Sequence, residues 1–425
     1  MISLLPAFLI IAGIPILAVT GWLPFAYIWI ALVLLVTFVD YCLAPNPTKV
    51  DISRKEVKAV RAQAVTESVL TLTYRGRRKL RGQVRDAWQP SAGAVNNRHR
   101  IVLPAQVPVK VTTKLHTSRR GNMRSDLITI RSWGPLRLAG RQVSFDLPTV
   151  FSVLPEFPSR RLLPGKLQKL QLITGRAIAN IRGQGTEFDS LREWVDGDDV
   201  RSVDWRASAR SNDLVVRTWR PERDRQIAII MDTSRTCAAR VGDTTRLEMQ
   251  MDAALLLGAV AAKAGDHVSL LAGSTTLESS VLRPGPTTTL ARFSKAMVDL
   301  EPHLVEADWA RLTAETTRIG RKLSLLVLLT HLDPTTVAES MLSALKYMTT
   351  KHHVVIASVK DTSLDSISLE HESDAYVAAA HAHMKQRIAK TRKALSGMGV
   401  SIVESANLAS DLTDHYLNLK ARGKL

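Results

Sequence analysis

The run Ile227–Met231 contains no polar side chain and passes directly into Asp-Thr-Ser-Arg-Thr. An unbroken apolar run of this length fits a strand covered on both faces, as in a parallel sheet, rather than a strand with one wet face. Leu323–Leu329 is a second apolar run. Around the two, helix and strand patterns alternate. Thr245 and Glu248 form a capping box ahead of a helix over Leu247–Lys263 that Gly265 ends. A strand follows at His267–Leu271, with a hairpin partner near Leu277–Leu282, and then a helix at Leu290–Leu300. Beyond the second apolar run come a helix at Thr336–Met348, a strand at Val354–Val359, a helix at Met384–Met398, a strand at Val400–Glu404 and a basic helical tail, Asp411–Leu425. This order predicts a doubly wound α/β domain over residues 226–425.

Open α/β sheets keep their ligands in the crevice beyond the carboxyl ends of the strands, which is where Asp232 falls. Asp232, Ser234 and Thr236 alternate at spacing two, so an extended loop turns three oxygens to one side. That donor set suits a hard divalent cation such as Mg2+. The plainer alternative is a loop in which Asp232 and Thr233 bond only their own turn. Asp333 follows the second apolar run. It precedes Pro334, the ordinary sequence of a helix N-cap, yet if the two strands are neighbours its carboxylate converges on that of Asp232. Two carboxylates that close need a cation between them or a shared proton. The chain has no phosphate-binding loop, since Gly165-Lys166 lacks the upstream glycine, and it has neither a His-Glu-x-x-His run nor a Gly-x-Ser-x-Gly elbow.

The amino terminus points to a membrane. No charged residue occurs before Asp40, a length that accommodates two spanning helices, Ser3–Val19 and Trp22–Leu43, joined near Thr20–Pro24. Trp22, Tyr27, Trp29 and Tyr41 supply interface anchors. The next segment, APNPTKVDISRKEVKAVR, is basic, which places it and both termini in the cytoplasm and draws it toward anionic membrane lipid. The net charge of +18 agrees with an anionic partner. Two cysteines, Cys42 and Cys237, have no zinc or disulfide spacing and suit a reducing compartment.

Residues 50–155 read as short strands separated by Pro, Gly, Asn and Ser, the pattern of a β-sandwich-like domain. Candidate strands are Val69–Tyr74, Ile101–Leu103, Val107–Thr113, Leu127–Arg131 and Gln142–Phe145. Trp88 and Trp133 stand alone among the basic residues, so the stacking platforms of single-strand nucleic-acid binding are missing and no nucleic-acid partner is expected. Prolines 148, 155, 158 and 164 suggest a stiff connector, opening a segment over 156–225. Within it, Asp198–Arg210 has helical composition and Leu214–Trp219 reads as a strand, with Trp194, Trp205 and Trp219 as core anchors.

Taken together, two membrane helices, a basic β-rich module, Gly-x-Gly-Thr-Glu-Phe-x-x-Leu-Arg-Glu-Trp (Gly183–Trp194), Gly-Asp-Asp-x-Arg-x-x-Asp-Trp (Gly197–Trp205), Ala-Ser-Ala-Arg (Ala207–Arg210) and the Asp-Thr-Ser-Arg-Thr domain resemble the bacterial membrane proteins known as domain of unknown function number fifty-eight. The resemblance implies a last domain similar to a von Willebrand factor A domain, with Mg2+ at a metal-ion-dependent adhesion-like site. The family pattern Asp-x-Ser-x-Ser falls on Asp232, Ser234 and Thr236, and its later aspartate on Asp333. Its intervening threonine falls among Thr287, Thr288 and Thr289, with Thr288 at the centre. The resemblance also implies a MoxR-type AAA+ ATPase as partner in the assembly or maturation of other proteins. The expected function is therefore a non-enzymatic, membrane-anchored interaction module. Its rivals are a metal-dependent phosphatase or nuclease using Asp232 and Asp333, and a purely structural A-like domain with an empty site.

Overall fold

The computed structural model describes residues 3–15, 23–180, 187–211, 213–220, 225–320, 323–361 and 372–425. The chain divides into two compact units, Met1–Leu154 and Pro155–Leu425.

In the first unit, helix α1 covers Leu5–Ala12 and helix α2 covers Leu23–Leu43. Among the described residues one helix is long and apolar enough to cross a membrane, the segment Pro24–Lys49 with a mean hydropathy of 2.1. Eight residues of α1 extend about 12 Å, well short of a bilayer core. Residues 16–22, which hold the end of the expected first span Ser3–Val19 and most of its turn, lie outside the described residues. The Trp29 indole N–H donates to the Leu9 carbonyl at 2.9 Å, so α1 leans on α2. Asp40, the first charged residue, is 1% exposed in the last turns of α2. Its carboxylate accepts the backbone N–H groups of Leu136 (2.8 Å), Leu138 (2.8 Å) and Ala139 (2.9 Å), which ties the helix end to one tight turn of the domain that follows.

That domain is built of β1 (Val50–Arg54), β2 (Val60–Arg61), β3 (Val65–Tyr74), β4 (Leu80–Trp88), β5 (Ala94–Val95), β6 (Arg98–Leu103), β7 (Pro108–His116), β8 (Gly121–Trp133) and β9 (Gly140–Leu154). They form a four-stranded sheet, β1-β3-β7-β5, and a five-stranded sheet, β2-β9-β8-β4-β6. Alternation decides which face meets which. Leu70, Leu72 and Val111 of the first sheet pack against Leu80, Val84, Ile101, Ile128 and Ile130 of the second in one apolar cluster. Pro148, expected in a connector, instead lies in β9 where the β8–β9 register slips between Ser125 and Leu127. A bulge tolerates a residue that cannot donate to the ladder.

One basic residue assigned to lipid from sequence is not available for it. Arg54 Nη2 is buried against Asp86 Oδ1 at 2.5 Å, with side chains 3% and 0% exposed. Asp86 also accepts Ser68 Oγ (2.9 Å), Trp88 Nε1 (2.8 Å) and Ser125 Oγ (3.3 Å), so four strands from both sheets meet at one carboxylate.

The second unit starts with helix α3 (Leu163–Asn180), where sequence alone suggested a connector. Pro158 and Pro164 open helical turns, a position that needs no proline N–H. Leu162, Leu163, Leu167 and Leu170 join the core, while Lys166 Nζ reaches Asp414 at 2.6 Å and Lys169 Nζ at 2.9 Å. Next come β10 (Glu187–Glu193), α4 (Trp205–Ser211) and β11 (Val215–Arg220); β10 and β11 pair antiparallel.

The remainder contains β12 (Gln226–Asp232), the short pair β13 (Arg240–Val241) and β14 (Thr244–Thr245), α5 (Arg246–Lys263), β15 (His267–Gly273), β16 (Leu277–Val281), α6 (Thr289–Ala296), α7 (Trp309–Ala314) and β17 (Leu323–Leu329). A helical run α8 over 334–349, β18 (His353–Val359), α9 (Glu372–Gly397), β19 (Ser401–Ser405) and α10 (Leu408–Ala421) complete it. Six strands form one sheet in the order β16-β15-β12-β17-β18-β19, parallel except for the antiparallel edge strand β16. Every residue of β12 is buried, as its composition requires. Ile227, Ile229 and Met231 face α5 and α10, whereas Ala228 and Ile230 face Trp309, Leu345 and Leu395. Helices thus cover both faces.

Acid is expected to loosen this unit. Burial, then the neighbours His353 and Arg422, hold the His415 imidazole below its ordinary pKa, and its Nε2 has no hydrogen-bond partner. His353 is lowered by burial and then by Lys424. A histidine kept neutral in the fold but protonated when unfolded removes stability as pH falls below about 6.5. Melting temperature should fall between pH 8 and pH 5.5, and His415→Leu should flatten that slope; an unchanged slope would assign it to other groups.

Candidate functional site

The order in which the chain adds strands reverses at β12. The chain leaves β12 for β15 on one side and later returns to β17 on the other, which opens a crevice beyond the carboxyl ends of these two strands. Asp232 is the last residue of β12 and Thr330 the first beyond β17. Both are 1% exposed.

The side chains meet. Asp232 Oδ1 accepts the Ser234 N–H at 2.7 Å, which turns the loop back on itself. Asp232 Oδ2 accepts Thr330 Oγ1 at 2.6 Å and Thr236 Oγ1 at 3.1 Å, and the Ser234 and Thr236 hydroxyls lie 3.2 Å apart. One carboxylate and three hydroxyls therefore share a crevice. Asp232, Ser234 and Thr236 are together, as their spacing suggests. Thr330 was not singled out from sequence; its only signal there is its place immediately after the second apolar run.

Two other expected participants are engaged elsewhere. Asp333 Oδ2 accepts the Thr336 N–H at 3.0 Å and its hydroxyl at 2.9 Å, capping α8, and makes no hydrogen bond to the Asp232 group. The Thr288 hydroxyl donates to the Gly285 carbonyl at 3.0 Å, as does that of Thr289 at 3.0 Å. A dipeptide Asp-Pro at a helix start satisfies an orphan backbone donor at once, and this local bond prevails over convergence across the crevice.

The rim carries a cation. Arg246 Nη1 donates to the Thr236 carbonyl at 3.2 Å, while its Nε has no partner. Burial lowers the Arg246 pKa, and Asp361 and Cys237 oppose that shift. His331 is lowered to about 4, first by burial and then by Arg246, with Asp333 and Asp361 pulling the other way. Cys237, 0% exposed beside Gln250, is pushed well up by burial and then by Asp232, so it is an inert thiol. On the far side of the loop the Thr233 hydroxyl donates to Glu278 Oε1 at 2.6 Å, and His303 Nε2 lies 3.3 Å from Glu278 Oε2.

Among the described residues no histidine hydrogen-bonds the Ser234, Thr236 or Thr330 hydroxyl, the contact by which a base would activate a serine-type nucleophile. Nor do three His, Cys, Asp or Glu side chains cluster as a metal site there. The donors that do converge are hard oxygens, few of them charged. Such a set fits Mg2+, which keeps several of its waters and takes one or two carboxylates.

The signature segment has its own order. Arg192 forks onto Asp198 at 2.7 and 2.5 Å. Asp204 accepts the N–H groups of Arg206 and Ala207 at the start of α4, and Arg217 Nε at 2.9 Å. These bonds, Arg217 first, hold its carboxyl below the usual range. Trp205, expected as a core anchor, is 65% exposed. It is the first residue of the seven-residue α4, directly after the cap residue Asp204. The first glycines of the signature, Gly183 and Gly185, lie outside the described residues.

Residues 190–396 match the family model described as "Protein of unknown function DUF58", and the match supports placement in that family. No curated protein matches the chain. Among solved structures, BatB, a conserved hypothetical protein from Bacteroides thetaiotaomicron, is 13% identical with a TM-score of 0.31, covering 47% of this chain and 98% of its own. The ASH/PapD-like domain of human CEP192 is 13% identical with a TM-score of 0.20, covering 26% of this chain and 89% of its own. Neither score is high enough to inform fold or function.

Proposed function

We propose, proceeding from the DUF58 match over residues 190–396, that the chain is a membrane-anchored, non-enzymatic interaction protein. Its von Willebrand factor A-like second unit takes a divalent cation, Mg2+ foremost, on Asp232, Ser234, Thr236 and Thr330, and works with a MoxR-type AAA+ ATPase in maturing other proteins. The observation that carries the reading is the buried Asp232 carboxylate with three hydroxyls around it at the carboxyl end of the central strand. When bound, the cation supplies an open coordination position that a partner carboxylate completes. The chain's own part is to hold the hydroxyls around the Asp232 carboxylate. In this reading α2 crosses the inner membrane, accompanied by the first segment as a second span, and the second unit faces the cytoplasm.

The exposed Trp205 belongs to the same picture as a docking side chain, because aromatic anchors dominate interface energies. Calorimetric titration of the detergent-solubilised full chain should show Mg2+ binding, and the ATPase should co-purify from membranes with Mg2+ and be lost with chelator. Trp205→Ala should weaken that co-purification while changing stability by less than about 0.5 kcal/mol, as expected of an exposed site. Absence of any heat on Mg2+ addition, with co-purification indifferent to chelator, sinks the cation reading.

A further inference from the structure

We propose that the outward face of the five-stranded sheet in the first unit binds the headgroups of anionic phospholipid; the proposal rests on the membrane-anchor reading of α2. The inward side of these strands is the apolar core, so alternation sends the other set of side chains outward. Along β4 and β6 that set is rich in arginine, with Arg131 added from β8, while Asp146 stands on the same side of β9 opposite Leu127. Gln83 stands between Arg131 and Arg100, Arg85 between Thr129 and Arg98, and Arg81 across from Val102. Gln83, Arg85, Arg98, Thr129, Arg131 and Gln142 line one shallow depression. All six offer N–H or O–H donors. Arg131 Nε donates to Gln142 Oε1 at 2.7 Å, and none of Arg81, Arg85, Arg98, Arg100 or Arg131 has an ion-pair partner among the described residues. Like charges placed on adjacent strands repel, so five of them on one face are stabilised by an anion from outside the chain.

Position selects lipid as that anion. The β8–β9 turn is bound through three backbone N–H groups to Asp40 near the end of α2. Counting from the Trp133–Gly140 pair that closes this turn, Arg131 and Gln142 are two residues along, and Thr129 and Ser144 four. At about 3.4 Å per residue these rows lie roughly 7 and 14 Å from the turn. The headgroup layer is about 5–8 Å thick on each side, and screening acts over about 8 Å, so the nearer row reaches the headgroups and the next feels their field. Leu136 in the turn is 58% exposed beside the helix end, an apolar tip suited to the same boundary. Nucleic acid is disfavoured because Trp88 is buried in the core and no row of exposed aromatic rings accompanies the arginines.

The test uses the full chain in neutral detergent, titrated separately with short-chain phosphatidylglycerol, short-chain phosphatidylcholine, inorganic phosphate and single-stranded DNA. Each basic residue near an anionic surface contributes about a fivefold factor, so Arg85→Gln/Arg98→Gln/Arg131→Gln should weaken phosphatidylglycerol binding on the order of a hundredfold. The corresponding triple lysine variant keeps the charge and should stay within about fivefold, and Arg131→Gln alone should lose about fivefold. The proposal is overturned if the glutamine triple binds phosphatidylglycerol as the parent does, if phosphatidylcholine binds as tightly, or if phosphate or DNA displaces the lipid at equal concentration. Alkaline extraction separates the two readings. Release of the parent chain from membranes defeats the anchor, whereas a retained chain with an indifferent glutamine triple defeats only the arginine face.

Discussion

Asp86→Ala is expected to destabilise the first unit by about 3–5 kcal/mol, because it leaves the buried Arg54 guanidinium without its counter-charge. The loss is larger than that of an average core truncation for a specific reason. Arg54 Nη2 already spends its hydrogen bonds on Asp86 and on Ser125 Oγ at 2.9 Å, while its Nε and Nη1 have no partner. Burial holds the Arg54 pKa down, and Asp86 is the neighbour that offsets this. Trp88 adds a ring 5.0 Å from the guanidinium and an indole N–H that also needs Asp86. Thermal melting of the full chain should show the first transition lowered by about 12 °C or more. Arg54→Met with Asp86→Leu should cost far less than the sum of its single changes, since replacing both members of a buried pair by apolar groups removes the orphaned charge. A shift of Asp86→Ala within about 1 kcal/mol would show that water reaches Arg54.

The second large effect centres on Asp232. Asp232→Ala removes the acceptor for Thr330 Oγ1, Thr236 Oγ1 and the Ser234 N–H, each left unsatisfied at about 1–3 kcal/mol, so a total near 3 kcal/mol is expected once the loop relaxes. The cation reading adds a distinct signature. At about a hundredfold excess over its dissociation constant, Mg2+ stabilises the parent chain by about 2.7 kcal/mol. Asp232→Asn, which preserves size and most hydrogen bonds, should abolish that increment. Asp333→Asn should behave otherwise, changing stability little, since Asn caps a helix about as well as Asp, and keeping the Mg2+ response. If Asp333→Asn removed the response as completely as Asp232→Asn, Asp333 would share the cation after all.

Much of the scaffold was legible in the chain. The all-apolar β12 demanded cover on both faces, and Thr245 accepting from the Glu248 N–H at 3.3 Å starts α5 where the capping box placed it. Five strands of the first unit were found but cut short, and β1, β2, β4 and β5 were not read: β8 extends over Gly121–Trp133 and β9 over Gly140–Leu154, because twisted pairs tolerate Ser, Asp and even Pro148 at a bulge. Prolines near residue 160 read as a linker when they were helix starts, since one residue type serves both uses and packing against α5 and α10 chooses.

What the residues determined unaided was therefore local and periodic: a long apolar helix, alternating strands, a buried central strand, and three oxygens gathered by spacing in one loop. What only the tertiary structure decided was who meets whom across distance. It brought Thr330 from 98 residues away onto Asp232, gave Asp333 to its own helix, buried Arg54 on Asp86 and set five arginines on one outward sheet face. The reason is physical. Periodicity records which side of an element avoids water, but a hydrogen bond or an ion pair forms between particular atoms, and register and packing alone bring those atoms within 3 Å of each other.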